Sequence, residues 1–313
     1  MAEAIGLDIG GTKIAGYRVG DDGRVRDRRT VSTPATDPAA TVDAAIAVGK
    51  ELVTGQVRAV GIGAAGMVDH HDVVRYSPNL SYRNLPIGHR VGDALGLPCV
   101  ADNDANAAAW GEFRVGAGRD VEDMLLVTIG TGIGGGIVSG GRLIHGANGF
   151  AGEIGHIIVE PGGPLCGCGN RGCLEQVASG TAVEREGKLA AARHPESLIA
   201  ALAGGDPDRV TGRTVTEAAR GDDEVALGIL AEVGRRLGEG MAGLVNVLDP
   251  DLVVAGGGAV EAGELLLAPA RAAFGRAVEA PEYRPEVAIR PAALGNDAGG
   301  IGAALIALEE AAS

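Results

Sequence analysis

MLLVTIGTGIGGGIVSG, residues 124–140, is the stretch that decides the fold. Met124 to Ile129 is an apolar run fit for a buried strand, and it ends in the glycine string of 130–136. A dinucleotide-binding turn has a similar outline, but it needs a helix directly after the glycines. Here GGIVSGG keeps β-type side chains and offers no helix of useful length, so the reading is strand, glycine turn, strand. The same order opens the chain: a strand over Ala4–Ile9, a tight Gly10–Gly11 turn, and a strand over Lys13–Val19. This weak repeat of topology, without identity, predicts two similar halves that arose by duplication.

Outward from these two segments, strands and helices alternate. The first half is expected to add a strand over 24–32, a helix over 39–52, strands over 59–63 and 98–102, and a helix over 105–112 after the polar cap NDAN. The sequence loosens at GAGRD, 116–120, before the second half begins. Helices are predicted over 172–191, 214–219, 224–248 and 263–274, with strands over 252–255 and 286–292. An alanine-rich closing helix over 301–310 is expected to return to the first lobe. The expected lobes are 1–117, with 298–313 returning to it, and 118–297.

At 313 residues the chain exceeds the size at which one core usually stops growing, so a cleft between lobes is expected. Its 46% hydrophobic and 22% charged content is that of a globular chain without disordered or low-complexity blocks. A net charge of −14 repels phosphate backbones, which argues against a nucleic-acid partner. The start MAEAIGLDIGG has no basic leader, and no apolar run is long enough for a bilayer, so a cytoplasmic protein is expected.

Five constellations carry chemistry. In DIGGTK, Asp8 closes a strand and is followed by Gly10, Gly11, Thr12 and Lys13; backbone amides there suit a phosphate while Asp8 orients hydrated magnesium. A plain glycine hairpin fits that segment as well. Thr131 and Gly132, in GTGIGGG, suit the outer phosphates of a nucleotide. Gly257, in AGGGA, leaves backbone bare for an adenine or ribose face, although close strand–helix packing explains it equally. Three such turns at strand ends are jointly stronger than any one.

In ADNDANAAAWGE, Asp104 stands where a strand hands over to a helix, a place where a carboxylate points into a cleft and stays ionised to accept a hydroxyl proton. Asn103 can hydrogen-bond the same substrate, and Asp102 is read as a simple helix cap. The sharpest signal is Cys166-x-Cys168-x4-Cys173 with His156 upstream, a complete tetrahedral set for structural zinc. Cys99 is read as a buried strand residue, and His70, His71, His89, His145 and His194 as surface residues.

Taken together, DIGGTK, GIGAAG, SPN, NDANAAAWGE, GTGIGGG, EIGH, CGCGNRGCLE and GGG resemble the ROK family of repressors, open reading frames and kinases, from Ile5 to about Ala304. The resemblance is greatest to the bacterial glucokinases of that family. It implies an α/β, actin-like (ribonuclease H-like), duplicated two-lobed fold with ATP and Mg2+ in the cleft, and a homodimer or homotetramer. Asp104 aligns with the family's catalytic base. Gly66, Asn79, Asn103, Glu153, His156 and Glu175 fall in motifs that contact sugar hydroxyls, with His156 serving both zinc and sugar. Asp8, Gly10, Gly11, Thr12, Lys13, Thr131, Gly132 and Gly257 fall in the nucleotide motifs. The implied activity is phosphorylation of a hexose, glucose first. N-acetylmannosamine, N-acetylglucosamine and fructose kinases share most of these motifs. A sugar-responsive repressor of the family carries a DNA-binding segment before the first phosphate motif, which Asp8 here leaves no room for. A non-catalytic sensor would not need Asp104.

Overall fold

The computed structural model describes residues 2–77 and 81–312. The first half runs β1 (Glu3–Ile9), β2 (Lys13–Gly20), β3 (Val25–Ser32), α1 (Pro38–Leu52) and β4 (Val57–Ala64). Then come three short strands, β5 (Met67–Val68), β6 (Val74–Tyr76) and β7 (Arg83–Leu85), followed by α2 (Ile87–Leu95), β8 (Cys99–Asn103) and α3 (Asp104–Val115). The second half opens with β9 (Met124–Ile129), β10 (Ile133–Ser139) and β11 (Arg142–Leu143). Helices α4 (Leu174–Ala178), α5 (Gly180–Arg193), α6 (Leu198–Leu202), α7 (Gly212–Arg220) and α8 (Glu224–Leu248) follow. The chain closes with β12 (Leu252–Gly256), α9 (Glu264–Ala277), β13 (Ala288–Pro291) and α10 (Ala298–Glu310).

Two five-stranded sheets follow one plan, β3-β2-β1-β4-β8 and β11-β10-β9-β12-β13. In each, the first strand pairs antiparallel with its hairpin partner and parallel with the fourth in order, and a parallel strand completes the edge. The predicted duplication is therefore present, and the molecule has the two-lobed actin-like architecture. Each half closes with a helix, and the two are exchanged: α3 packs on β9 and β10, while α10 packs on β1, β2 and β4 and against α3.

That exchange depends on small side chains. A Cβ on Gly6 or Gly61 would collide with the backbone of Gly300 or Ala303, and one on Gly302 with Ala107. The run AGGIGAAL is therefore helical from Ala298, three residues before the predicted start, because its glycines are needed for contact and not for a turn. The predicted helix over 172–191 is two helices, broken at Ser179, whose hydroxyl caps α5 through the amide of Ala182. The strands β5 to β7 and the helices α2 and α6 were not foreseen.

Glu112 joins the two crossings between the halves. It is fully buried in α3, yet its carboxylate accepts hydrogen bonds from Ala117 N (2.8 Å), Ala293 N (3.0 Å) and Leu294 N (2.7 Å). The first amide belongs to the segment leaving α3 and the other two to the segment leading into α10. Glu112→Ala strands all three donors, and we expect a loss on the order of 3 kcal/mol in urea unfolding. A wild-type midpoint in that variant would remove Glu112 from this role.

Candidate active site

Strand register brings the first carboxylates together. Asp8 in β1 lies opposite Gly63 in β4, which lies opposite Asp102 in β8, so the chain past β8 delivers Asp104 to the same end of the sheet. Gly63 and Gly299 keep that end open, since a Cβ on Gly299 would touch the Asp8 carboxyl and one on Gly63 the backbone of Asp104. A cavity of about 190 Å³ opens there between the halves, and Asp8, Asp104, Glu112, Thr128, Gly257 and Gly299 are among its walls. A larger cavity of about 440 Å³ lies apart, between α4, α5 and α8.

Asp8 and Asp104 share a poorly solvated space. Burial pushes the Asp8 carboxyl up to about 6, with Asp104 adding to the rise and Lys13 opposing it. Burial also raises Asp104, against the hydrogen bond from the Ala105 amide, and Asp102 adds to the rise. Burial thus pushes Asp104 in the direction opposite to the helix N-terminus, which was expected to favour its ionised form. Two carboxyls that repel in a dry cavity form a donor set that a divalent cation would discharge, so Asp8 fits magnesium.

The glycine turns are empty where a ligand would need them to be. A Cβ on Gly11, Gly130 or Gly258 would meet nothing within 4 Å, and one on Gly10 only the Lys13 carbonyl at 3.6 Å. None of these four has a left-handed backbone. Neither packing nor conformation inside the chain therefore requires glycine there, whereas a ligand approaching the backbone does. Gly257 differs: its φ of 86° and the nearby Ile129 backbone exclude other residues. The 130–132 turn is docked on α5, with Gly180 N donating to Gly130 O (2.8 Å) and Thr181 Oγ1 to Thr131 O (2.6 Å).

Asn103 is the N-cap of α3. Its Oδ1 accepts from Ala105 N and Asn106 N, and its Nδ2 donates to Gly66 O at 3.0 Å. Glu175 reaches the opposite turn, where its Oε2 accepts from Ile133 N at 3.1 Å and fills the space beside Gly132. Glu153 lies next to a short 3-10 turn, Ile154–His156, and its Oε2 is 3.7 Å from His156 Nε2. Burial raises the Glu153 carboxyl; His156 opposes the rise, and Asp104 and Glu175 add to it. Asn79 lies outside the described residues.

The other ring nitrogen of His156 faces the cysteines. Ligand atoms of His156, Cys166, Cys168 and Cys173 all lie within 4.8 Å of one another. His156 Nδ1 is 3.6 Å from Cys166 Sγ, and Cys168 Sγ is 3.7 Å from Cys173 Sγ. A tetrahedral zinc with ordinary bond lengths gives edges of about 3.6 Å between nitrogen and sulfur and about 3.8 Å between sulfurs. The cluster fits that ion, which would fix the remaining proton of His156 on Nε2.

Three expectations are corrected, those for Asp102, His145 and Cys99. Asp102 is not a helix cap: it is nearly buried, and its Oδ1 accepts from Asn103 N (2.6 Å) and Asn106 Nδ2 (2.9 Å). His145 is not a plain surface residue, because its Nε2 pairs with Asp102 Oδ2 at 2.7 Å. His70, His71, His89 and His194 are exposed as predicted, and Cys99 lies in β8 but is only partly buried. Asp102, His145 and Glu112 are thus the residues that sequence reasoning missed; no local spacing signals a pair 43 residues apart.

Comparison with known proteins gives this geometry a context. The model of the ROK family matches residues 4–310. A glucokinase of Streptomyces coelicolor is 43% identical, over 99% of this chain and 98% of its own. An N-acetylmannosamine kinase of Escherichia coli is 38% identical over 98% of each. Among solved structures, a ROK family glucokinase from Streptomyces griseus in complex with glucose and AMPPNP superposes with a TM-score of 0.89 at 44% identity, covering 98% of this chain and all of that one.

Proposed function

The chain belongs to the ROK family, and on that premise we propose that it is an ATP-dependent glucokinase with Asp104 as general base. The observation that carries the reading is the single cavity walled by Asp8, Asp104, Thr128 and Gly257, between two halves whose strand ends leave glycine backbone uncovered. The relative that binds glucose and an ATP analogue supports the choice of substrates.

In the proposed reaction, glucose lies between Asn103, Glu153, His156 and Glu175, with Gly66 beside them; the family resemblance adds Asn79, which lies outside the described residues. Its six-hydroxyl gives a proton to Asp104 while that oxygen forms a bond to the γ-phosphorus. The bond from the γ-phosphorus to the bridging oxygen breaks in line, and ADP leaves. Backbone amides of the turns at Gly10–Thr12 and Thr131–Gly132 stabilise the phosphate oxygens, Lys13 adds charge, and Gly257 faces the nucleoside. Magnesium beside Asp8 supplies charge neutralisation when bound. His156, Cys166, Cys168 and Cys173 would hold a structural zinc, which would clamp the loop that bears Glu153 to the start of α4, which bears Glu175.

A cytoplasmic location is part of this reading; among the described residues no helix is long and apolar enough to cross a membrane. Kinases of the two acetylated amino sugars or of fructose share the same base and phosphate turns, so substrate choice is settled by assay. Coupled ADP release over glucose, mannose, fructose, N-acetylmannosamine and N-acetylglucosamine is expected to give the highest kcat/KM for glucose. A preference for an acetamido sugar overturns glucose; no ADP release with any hexose overturns the kinase. Light scattering on the same sample tests the expected homodimer or homotetramer.

A further inference from the structure

Besides the two crossings joined by Glu112, a third segment bridges the halves. The segment 144–153 leaves β11 in the second half and reaches Glu153 by passing over the first. Three contacts hold it there. His145 Nε2 meets Asp102 Oδ2 at 2.7 Å, His70 Nε2 meets Gly146 O at 3.0 Å, and Gly149 sits so close to the backbone of Val68 and Asp69 that a Cβ would strike it. Ala151 N donates to His145 O at 3.0 Å, so the segment is folded back on itself. Asp102 anchors more than this segment: it also holds Asn106 of α3 and lies two residues before Asp104.

We propose that the Asp102–His145 pair is a latch that seats the 144–153 segment, and with it Glu153, against the helix that carries Asp104. His145 is then a positioning residue for sugar binding, a role that rests on the sugar-kinase reading above. Nothing in the latch touches the reacting atoms. Its effect should fall on sugar affinity, and only weakly on turnover once the sugar is bound.

The latch responds to pH. Asp102 faces His145 from the end of β8, Glu310 from α10, and the His70 ring packs edge-on with centroids 6.2 Å apart. Asp72 lies behind, next to Glu310. The hydrogen bond and charge of Asp102 raise the His145 imidazolium against its own burial. A group raised in the seated state favours seating while protonated, so the latch is strongest below the ordinary imidazole range and, as pH rises through the raised value, loses its charge and keeps only a neutral hydrogen bond.

Two measurements test this. Imidazole NMR of the sugar-free protein should place the His145 titration above the ordinary imidazole range, and Asp102→Asn should bring it down. Calorimetric glucose binding should weaken roughly threefold to tenfold between about pH 6 and pH 9 in the wild type. It should be flat in His145→Gln, which keeps a donor but does not titrate, and weak throughout in His145→Ala. Wild-type affinity and pH profile in both variants overturn the latch, as does an ordinary His145 titration. Should the wild type bind no hexose, the kinase reading falls, and the NMR titration alone decides whether the latch exists.

Discussion

Asp104→Asn is expected to lower kcat by roughly 10²- to 10⁴-fold while glucose and nucleotide affinities stay within a few-fold. The position allows a clean reading because its neighbour does the structural work. Asn103 caps α3, accepting from Ala105 N and Asn106 N, whereas Asp104 takes only a share of the Ala105 amide at 3.0 Å. An amide at 104 therefore leaves the helix start, the cavity and the fold intact, and removes only the acceptor for the hydroxyl proton. Thermal melting should be unchanged, and calorimetry should still detect glucose. The same carboxyl sets an acid limb in the wild type. Burial raises it, and a base works only when ionised, so kcat/KM should fall as pH drops through that raised value. Turnover within tenfold of wild type in Asp104→Asn would move the base elsewhere.

The parts of the site that were legible in the sequence are those written in local chemistry. A strand ending in glycines announces bare backbone whatever packs around it, and three cysteines within eight residues, with a histidine ten residues before them, announce a metal cage. The duplication was legible because strand–turn–strand at 4–19 and 124–144 needs no long-range information. What stayed hidden depends on contacts between distant segments. Glu112 on α3 looks like an ordinary surface glutamate until the chain returns, at 293–294, to lay two amides on it. The glycines of α10 look like a turn until β1 and β4 supply the backbone they pack against. His145 looked exposed because nothing nearby in sequence pairs with it. The strands β5 to β7 are two or three residues long, too short for a period of two to show.

Cys168→Ser is the second change with a large expected effect, and its consequence is predicted from where the cage sits. Apart from the cage, the stretch from Ile157 to Cys173 is tied to the second half at its start, where Ile157 and Val159 pack against the core and Glu160 pairs with Arg236 of α8 at 2.8 Å. It has two isolated bridges, Ile158 with Cys173 and Leu165 with Arg171, and its large apolar side chains Ile158 and Leu165 are 55% and 62% exposed. From Pro161 to Gly172 only Cys166 and Gly172 are buried, so that part does not order itself, and in small peptides a zinc cage supplies an apparent 10–16 kcal/mol, on the order of a whole domain's stability. The buried cores include none of residues 161–172, so metal loss should disorder that part and leave global unfolding nearly two-state. Its damage reaches both substrates through Glu175, which approaches Cys166 Sγ at 3.8 Å with one oxygen and holds the Ile133 amide of the phosphate turn with the other. His156 loses the partner that orients its Nε2 toward Glu153. Elemental analysis should find one zinc per wild-type chain and little in Cys168→Ser, with KM for glucose raised at least tenfold and KM for ATP raised less. Since every position on the metal is filled by protein, kcat at saturation should fall less than kcat/KM for glucose. A zinc-free preparation with wild-type KM values would separate the cage from the site and leave the 157–173 segment without an assigned role.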